Sequence, residues 1–322
     1  MSLDVDVAGR QVLITDCTPA TIATISSLLA AGARVSVRAG ELTTSVRDLV
    51  ERGLIAHVPD ADPAAFDVVL KTRAVAAPAP PSGRGEVVLV GGGIGDPDLI
   101  TVAGLHELRS AEVVVHDRLA PLALLEGLSA ELIDVGKIPR GEFTPQERIN
   151  QVLIEHAAAG RKVVRLKGGD SFVFGRGGEE WLACAEAGIG VRTVPGISSA
   201  IAAAELAGVP VTHRGLSQGF TVVSGHVAPG DPRGDLDWAA LARTGTTLVI
   251  LMGVGTLPKI CATLIEHGLS PDTPAITVAD AGLPSMRTIR APLAEIAATV
   301  EREGLGAPAV TIIGAVAGLR LE

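Results

Sequence analysis

The sequence predicts an α/β protein built on parallel sheets. Short apolar runs alternate with segments of helical periodicity from residue 10 onward, and turns rich in glycine and proline separate nearly every pair. Strands that alternate with helices imply parallel pairing. Hydrophobic residues make up 47 % of the 322 residues, which is enough to form a packed core, and the length favours two or three folding units.

The first unit has the pattern of half a dinucleotide-binding fold. We predict strands at 11–15, 34–38 and 66–70 and helices at 19–31 and 45–52. The first strand–helix turn, Thr15-Asp-Cys-Thr-Pro-Ala-Thr21, contains no glycine. Arg38 stands where such folds carry an acidic ribose ligand. We therefore expect a degenerate Rossmann-like unit over residues 1–74 that does not bind NAD.

Residues 75–85 are rich in proline, glycine and alanine, which is typical of a linker. Two further α/β units are predicted after it, over residues 86–215 and 216–322. The first has predicted strands at 86–90, 112–116, 131–135, 162–166 and 191–194, and helices at 98–110, 119–126, 145–159, 178–187 and 198–207. The second has predicted strands near 220–224, 247–251, 275–279 and 309–313, and helices near 238–243, 256–267 and 293–303.

Composition excludes several classes of function. A net charge of −9 disfavours a general nucleic-acid or anionic-membrane binder, and the seven aromatic residues are too few for base-stacking platforms. The longest uncharged run, 17–33, is too short and too polar to span a bilayer. The acidic N-terminus is unlike a signal peptide, and three scattered cysteines suit a reducing compartment. We expect a cytoplasmic protein without a bound metal.

Seven motifs carry candidate chemistry. Each alone has an ordinary structural reading, such as a tight turn, an ion pair or a core methionine. Six of them follow a predicted strand or begin a helix, so they should gather at one edge of a sheet, where α/β folds place their ligands. The motifs are Gly91-Gly-Gly-Ile-Gly-Asp-Pro-Asp98, His116-Asp-Arg-Leu119, Val135-Gly-Lys-Ile-Pro-Arg140, Arg165 to Glu180, Val194-Pro-Gly-Ile-Ser-Ser-Ala200, Pro210-Val-Thr-His-Arg-Gly215 and Leu251-Met-Gly253.

Taken together, these motifs resemble the tetrapyrrole (precorrin-type) methylases, and among them the enzymes that methylate uroporphyrinogen III. The resemblance covers residues 86–322 and includes Thr144-Pro-Gln-Glu-Arg-Ile-Asn150, Gly175-Arg-Gly-Gly-Glu-Glu180 and Ser224-Gly-His226. It implies two α/β/α subdomains with S-adenosylmethionine in the cleft between them, in a homodimer. The implied reaction converts uroporphyrinogen III to precorrin-2 by methylation at carbons 2 and 7, for sirohaem or cobalamin synthesis.

The resemblance also assigns residues. Roles in catalysis or in orienting the substrate are implied for Asp117, Lys137 and Met252. Contacts to the methyl donor are implied for Gly91, Gly93, Ile94, Gly168, Gly169, Asp170, Val173, Ser198, Ser199, Met252 and Ala281. Ile94 and Ser171 replace two prolines usual in the family, and we expect altered loop stiffness from them.

The implied chemistry suggests what the other polar residues do. Methylating a pyrrole carbon leaves a cationic ring that must lose a proton, a task for Asp117 as a base. Arg118 could keep that carboxylate ionised, and Lys137 could orient it. The substrate carries eight carboxylates, so a locally basic cleft is expected despite the acidic total. The candidate contacts are Arg118, Arg140, Arg165, Lys167, Arg176, His213, Arg214 and His226.

The N-terminal unit resembles the dehydrogenase–chelatase module of fused sirohaem synthases, without its glycine-rich loop. A bifunctional sirohaem synthase that retains NAD-dependent dehydrogenase or chelatase activity is therefore one alternative. A methylase of a later precorrin is another, and a non-catalytic S-adenosylmethionine-binding regulator is a third.

Overall fold

The computed structural model describes residues 7–17, 21–42, 44–71, 83, 85–135 and 145–320. The chain forms two compact units, Met1–Ala79 and Pro80–Glu322. None of the helices among the described residues is long and apolar enough to cross a membrane.

The first unit is a small parallel sheet. Its strands are β1 (Gln11–Ile14), β2 (Arg34–Val37), β3 (Ala56–His57) and β4 (Val68–Leu70), and its helices are α1 (Thr21–Ala30) and α2 (Thr44–Glu51). The strand order β3-β2-β1-β4, with every pair parallel, confirms the Rossmann-like prediction. We did not predict β3, because two residues are too few to show an alternating pattern.

The second unit contains a sheet of five parallel strands, which we call the first sheet. Its elements are β5 (Glu86–Gly91), α3 (Val102–Arg109), β6 (Val113–His116), β7 (Glu131–Asp134), α4 (Gln146–Ala158), β8 (Lys162–Lys167), α5 (Gly177–Glu186) and β9 (Gly190–Val194). The order is β7-β6-β8-β5-β9, and all pairs are parallel. All five strands therefore end at one edge of the sheet, its carboxyl edge.

Apolar strands buried on both faces hold this sheet together. Helices α4 and α5 pack on one face, where Leu153 and Cys184 are fully buried, and α3 packs on the other through Leu108. The helix predicted at 119–126 is instead a short 3₁₀ turn, Leu122–Leu125. The prediction was wrong because Pro121 and the left-handed Gly127 confine this segment to about one turn.

The second sheet is mixed. Its strands are β10 (Phe220–Ser224), β11 (Thr247–Leu251), β12 (Pro274–Ala279), β13 (Arg287–Pro292) and β14 (Ala309–Ile313). The order is β10-β11-β14-β12-β13. Strands β10, β11 and β12 run in the same direction, whereas β13 and β14 run against them. We did not predict β13, an edge strand in which Ile289 alone is buried. Helices α7 (Trp238–Leu241), α8 (Leu257–Glu266) and α9 (Leu293–Arg302) cover one face.

The opposite face of the second sheet is covered by α6 (Ser199–Leu206), which follows β9 of the first sheet. Ala200, Ala203 and Ala204 pack against Val249 and Ile276 in the second sheet. Alanine side chains let the helix approach the strands closely. In its packing, therefore, α6 belongs with the second sheet, although it precedes the boundary that we predicted between residues 215 and 216.

Arg192 is the centre of an ion-pair cluster away from the carboxyl edge of the first sheet. Its guanidinium lies 3.0 Å from Glu86 and 2.6 Å from Glu107, and Lys162 lies 2.8 Å from Glu107. Glu86 and Lys162 are the first residues of their strands. The hydrogen bond from Arg192 lowers the pKa of Glu107 to about 2.

We predict that Arg192→Met lowers the free energy of unfolding by about 1–3 kcal/mol near pH 7, because two half-buried carboxylates lose their shared partner. The folded-state pKa of Glu107 is depressed below its ordinary value of 4.5. The stabilisation is therefore present above that value and is lost as the pH falls toward 2. Urea unfolding at several pH values should show the difference from wild type shrinking below about pH 5. A difference that stays constant would contradict the assignment.

Candidate active site

Three loops meet at the carboxyl edge of the first sheet. They follow β5, β8 and β9 and contain Gly93, Gly169 and Gly196. Gly169 N donates to Gly93 O at 2.7 Å, and Gly93 N donates to Gly169 O at 3.3 Å. The carboxylate of Asp170 accepts a hydrogen bond from Gly196 N at 3.0 Å. We call these connected segments the three-loop junction.

Glycine is needed in this junction because the backbones touch. A Cβ atom on Gly91 would lie 2.5 Å from Gly196 N, and one on Gly196 would overlap Gly169 O. Gly169 lies in turn beside Ser198 and Ser199 at the start of α6, with 3.8 Å between Ser199 N and the position of a Cβ on Gly169. Ser198 caps α6 by accepting a hydrogen bond from Ala200 N at 3.2 Å.

The loop after β12 in the second sheet lies against the loop after β5. A Cβ atom on Gly95 would lie 2.5 Å from the carbonyl carbon of Gly282, and one on Gly282 would lie 2.6 Å from Ile94 O. Ala281 precedes Gly282, and Met252 follows β11 at the same edge of the second sheet. The loops at the carboxyl edges of the two sheets therefore touch each other.

Non-glycine residues with left-handed backbones concentrate in these loops. Among the described residues they are Phe174, Arg176, Met252 and Asp280, with φ between 51° and 58°. Each lies in a loop that follows β8, β11 or β12. Such conformations cost free energy and cluster at functional sites. Of the predicted donor contacts here, Val173 and Met252 are exposed, whereas Ile94 is buried.

Asp117 directly follows β6, and its carboxylate is held on both sides. Oδ1 accepts hydrogen bonds from the backbone amides of Leu119 and Ala120, each at 3.1 Å. Oδ2 lies 3.4 Å from the guanidinium of Arg165. The Asp117 side chain keeps 28 % of its surface exposed. The cation that approaches Asp117 is therefore Arg165, and not the exposed neighbour Arg118 that we expected.

Arg165 and Lys167 are buried, which conflicts with their predicted contact to substrate carboxylates. They lie 3.0 Å and 2.9 Å from the same oxygen of Glu180, a fully buried residue of α5. Burial lowers the pKa of Lys167. Their charges face Glu180 below the surface, so a direct contact with substrate would require this cluster to open. We did not single out Glu180 from the sequence, although the doubled glutamate of the Gly175–Glu180 motif marked its position.

The other predicted substrate contacts differ in position. Arg118 and His226 are exposed, and Arg176 pairs with Glu179 at 2.6 Å. His213 and Arg214 lie in a turn whose Ser217 hydroxyl accepts from Thr247 N, at the amino end of β11. That end is opposite Met252, because α6 carries the chain away from the three-loop junction.

Two predicted site residues, Lys137 and Arg140, lie outside the described residues. Across the part of the chain that the structure describes, no group of three or more His, Cys, Asp or Glu side chains could hold a metal ion.

A family model of the tetrapyrrole (corrin/porphyrin) methylases matches residues 86–297, from β5 into α9. The chain belongs to this family. The chain is 45 % identical over 240 residues to the uroporphyrinogen-III C-methyltransferase of Paracoccus denitrificans, covering 74 % of this chain and 83 % of the relative. It is also 45 % identical over 234 residues to a siroheme synthase of Gluconacetobacter diazotrophicus, covering 72 % of this chain. The chain spans about half the length of that relative, 50 %.

A solved structure supports the same relationship. The uroporphyrin-III C-methyltransferase of Thermus thermophilus, crystallised with S-adenosylhomocysteine, matches this chain with a TM-score of 0.60 and 41 % identity. The match covers 72 % of this chain and 93 % of that structure. The predicted α/β class and the tetrapyrrole-methylase fold are thereby confirmed.

Proposed function

We propose that this protein is an S-adenosylmethionine-dependent C-methyltransferase that converts uroporphyrinogen III to precorrin-2 by successive methylation of carbons 2 and 7. The observation that carries the proposal is the meeting of the two carboxyl edges, where the three-loop junction and the loop after β5 contact the loop after β12. The 45 % identity to a uroporphyrinogen-III C-methyltransferase over most of both sequences supports the same substrate.

We propose that a cleft between these two edges holds a methyl donor with an adenosine and an amino-acid end. Its glycines let the loops pack backbone against backbone, which fixes the shape of the proposed site. Exposed Met252 and Val173 add apolar surface. We propose that Gly91, Gly93, Gly168, Gly169, Ser198, Ser199 and Ala281 line the donor site with them. We propose that Asp170 and Ile94 hold the loops of this site in place. The Asp170 carboxylate accepts a hydrogen bond from Gly196 N, and Ile94 is buried.

S-adenosylmethionine supplies an electrophilic methyl group on a sulfonium, and S-adenosylhomocysteine is the product that remains. The chain must hold the pyrrole carbon in line with that methyl group, and positioning of this kind supplies much of the rate. The new carbon–carbon bond leaves a positive charge on the macrocycle, which is neutralised when the ring gives a proton to the carboxylate of Asp117. Its partial exposure and its fixed orientation suit that role.

Substrate carboxylates need cations at the mouth of the cleft. Among the described residues, Arg118, Arg176 and His226 are exposed candidates. We propose that they meet the substrate from opposite sides, because Arg118 and Arg176 follow strands of the first sheet and His226 follows β10 of the second. Lys137 and Arg140 would add two charges. We also propose that the protein is cytoplasmic and forms a homodimer. Light scattering on the purified protein would test the dimer.

We predict that anaerobic incubation with uroporphyrinogen III and isotopically labelled S-adenosylmethionine adds two labelled methyl groups to the macrocycle. Mass spectrometry of the oxidised product measures the number of methyl groups. The matched control uses a later precorrin as acceptor, because a methylase specific for uroporphyrinogen III should not label it. Labelling of that acceptor alone would contradict the proposed substrate.

We propose that the N-terminal unit lacks dehydrogenase and chelatase activity. Arg38 follows β2, where an acidic ribose ligand would be needed, and its guanidinium donates to Ala61 O at 3.1 Å. Thermal stabilisation of the protein by NAD⁺ would favour the bifunctional alternative instead.

A further inference from the structure

A buried polar cluster lies beneath the carboxyl ends of β6 and β8, on the face of the first sheet that α4 and α5 cover. Its centre is Glu180, whose Oε1 atom accepts hydrogen bonds from Arg165 at 3.0 Å and from Lys167 at 2.9 Å. Gln146 of α4 approaches the same oxygen at 3.4 Å. Glu180 is fully buried, and the side chains of Arg165 and Lys167 are at most 5 % exposed.

The cluster reaches the candidate active site at two points. The guanidinium of Arg165 donates to Oδ2 of Asp117 at 3.4 Å. The backbone carbonyl of Lys167 accepts a hydrogen bond from Gly92 N at 2.8 Å, within the glycine loop after β5. One short segment of β8 therefore contacts both the candidate base and the candidate donor loop.

Stability alone is a weak reason to keep such a cluster. Burying an acid between two bases costs desolvation free energy, and apolar residues of similar size often stabilise a core as well or better. The second oxygen of Glu180, Oε2, is buried without a hydrogen-bond partner among the described residues. The carboxylate is therefore incompletely satisfied where it lies, while it contacts the guanidinium of Arg165, which also reaches Asp117.

We infer that Glu180 is a positioning residue for methyl transfer, which holds Arg165 so that Arg165 orients the carboxylate of Asp117 toward the cleft. This inference rests on the proposed function. Oδ1 of Asp117 is fixed by two backbone amides, so Oδ2 is the oxygen whose position depends on Arg165. Without Glu180, Arg165 keeps its hydrogen bonds to the carbonyls of Val115 and Leu166, and Asp117 is its remaining acidic partner among the described residues. Arg165 then draws the Asp117 carboxylate inward, away from the substrate.

The first test is Glu180→Gln, which keeps the shape of the side chain and removes its charge. We expect kcat for methylation of uroporphyrinogen III to fall about tenfold or more, since small misplacements of reacting groups have effects of this size. The KM for S-adenosylmethionine and the calorimetric Kd for S-adenosylhomocysteine should stay within about twofold of wild type. The matched control is Glu186→Gln, an exposed carboxylate at the end of the same helix, which should leave kcat unchanged.

A double-mutant cycle separates positioning from a structural effect. If Glu180 acts through Asp117, then Glu180→Gln combined with Asp117→Asn is no slower than Asp117→Asn alone. Losses that multiply would overturn the inference. Arg165→Lys provides a second route, because lysine keeps the buried charge beside Glu180 and lacks the second nitrogen that reaches Asp117. We expect the same loss of kcat from it.

The possible failures are distinguishable. An active wild type together with fully active Glu180→Gln and Arg165→Lys variants overturns the positioning role and leaves the proposed function intact. A wild type that binds S-adenosylhomocysteine and does not methylate uroporphyrinogen III contradicts the proposed function, and this inference with it.

Discussion

Replacing Asp117 with asparagine should lower kcat for methyl transfer at least about tenfold, and by as much as about 10⁴-fold if proton removal limits the rate. Asparagine keeps an oxygen that can accept from the amides of Leu119 and Ala120, so the turn after β6 should survive. It cannot accept the proton that the methylated ring must lose. Steady-state kinetics with labelled S-adenosylmethionine measure the effect.

A matched control separates this effect from a general loss of charge. Asp272→Asn removes an exposed carboxylate just before β12, at the amino end of that strand and outside the facing carboxyl edges. We expect wild-type kcat from it, and wild-type affinity for S-adenosylhomocysteine from both variants. Unchanged turnover in Asp117→Asn would remove Asp117 from the mechanism and leave the methyl-donor site unaffected.

Much of the fold could be predicted because local patterns determine it. Buried parallel strands such as β5 and β8 are continuous apolar runs, and the helices between them show their periodicity in the sequence. Strand direction in the second sheet is different. Strand β14 has the apolar pattern of a parallel strand yet pairs antiparallel with β11 and β12, because its direction depends on β13 reversing the chain. Nothing local to Ala309–Ile313 signals that reversal.

The parts of the site formed by glycine-rich backbone could be predicted from the sequence. The parts that depend on ion pairs between distant side chains could not. Glycine loops after strands are visible in the sequence, and they meet as expected. The sequence shows that residues 165 and 167 are basic, but it does not show whether their side chains face solvent or a buried carboxylate. Their partner Glu180 lies 15 residues after Arg165 and 13 after Lys167, on a helix whose packing against the sheet is a tertiary property. A count of basic residues near the carboxyl edge of the sheet therefore overstates the positive charge available to a substrate.

Replacing Gly196 with alanine should weaken binding of S-adenosylhomocysteine by at least about tenfold and destabilise the protein by about 1–3 kcal/mol, the usual cost of overpacking. The backbone of Gly196 is not left-handed, so alanine can adopt its conformation and the effect is purely steric. The added methyl group would overlap Gly169 O and lie 2.6 Å from the Cα atom of Gly91. All three loops would have to separate, and the hydrogen bond from Gly196 N to Asp170 would lengthen.

Calorimetry with S-adenosylhomocysteine measures the loss of binding, and urea unfolding measures the loss of stability. Comparing the two shows whether the junction forms the donor site or only supports the fold. Gly306→Ala is the matched control, since Gly306 is exposed, is not left-handed and has open space around its Cβ position. It should leave both quantities near wild type. If Gly196→Ala is destabilised but binds normally, the three-loop junction supports the fold and does not form the donor site. If binding falls in proportion to the disruption of the loops, the close contact of Gly91, Gly169 and Gly196 shapes the site where the donor lies.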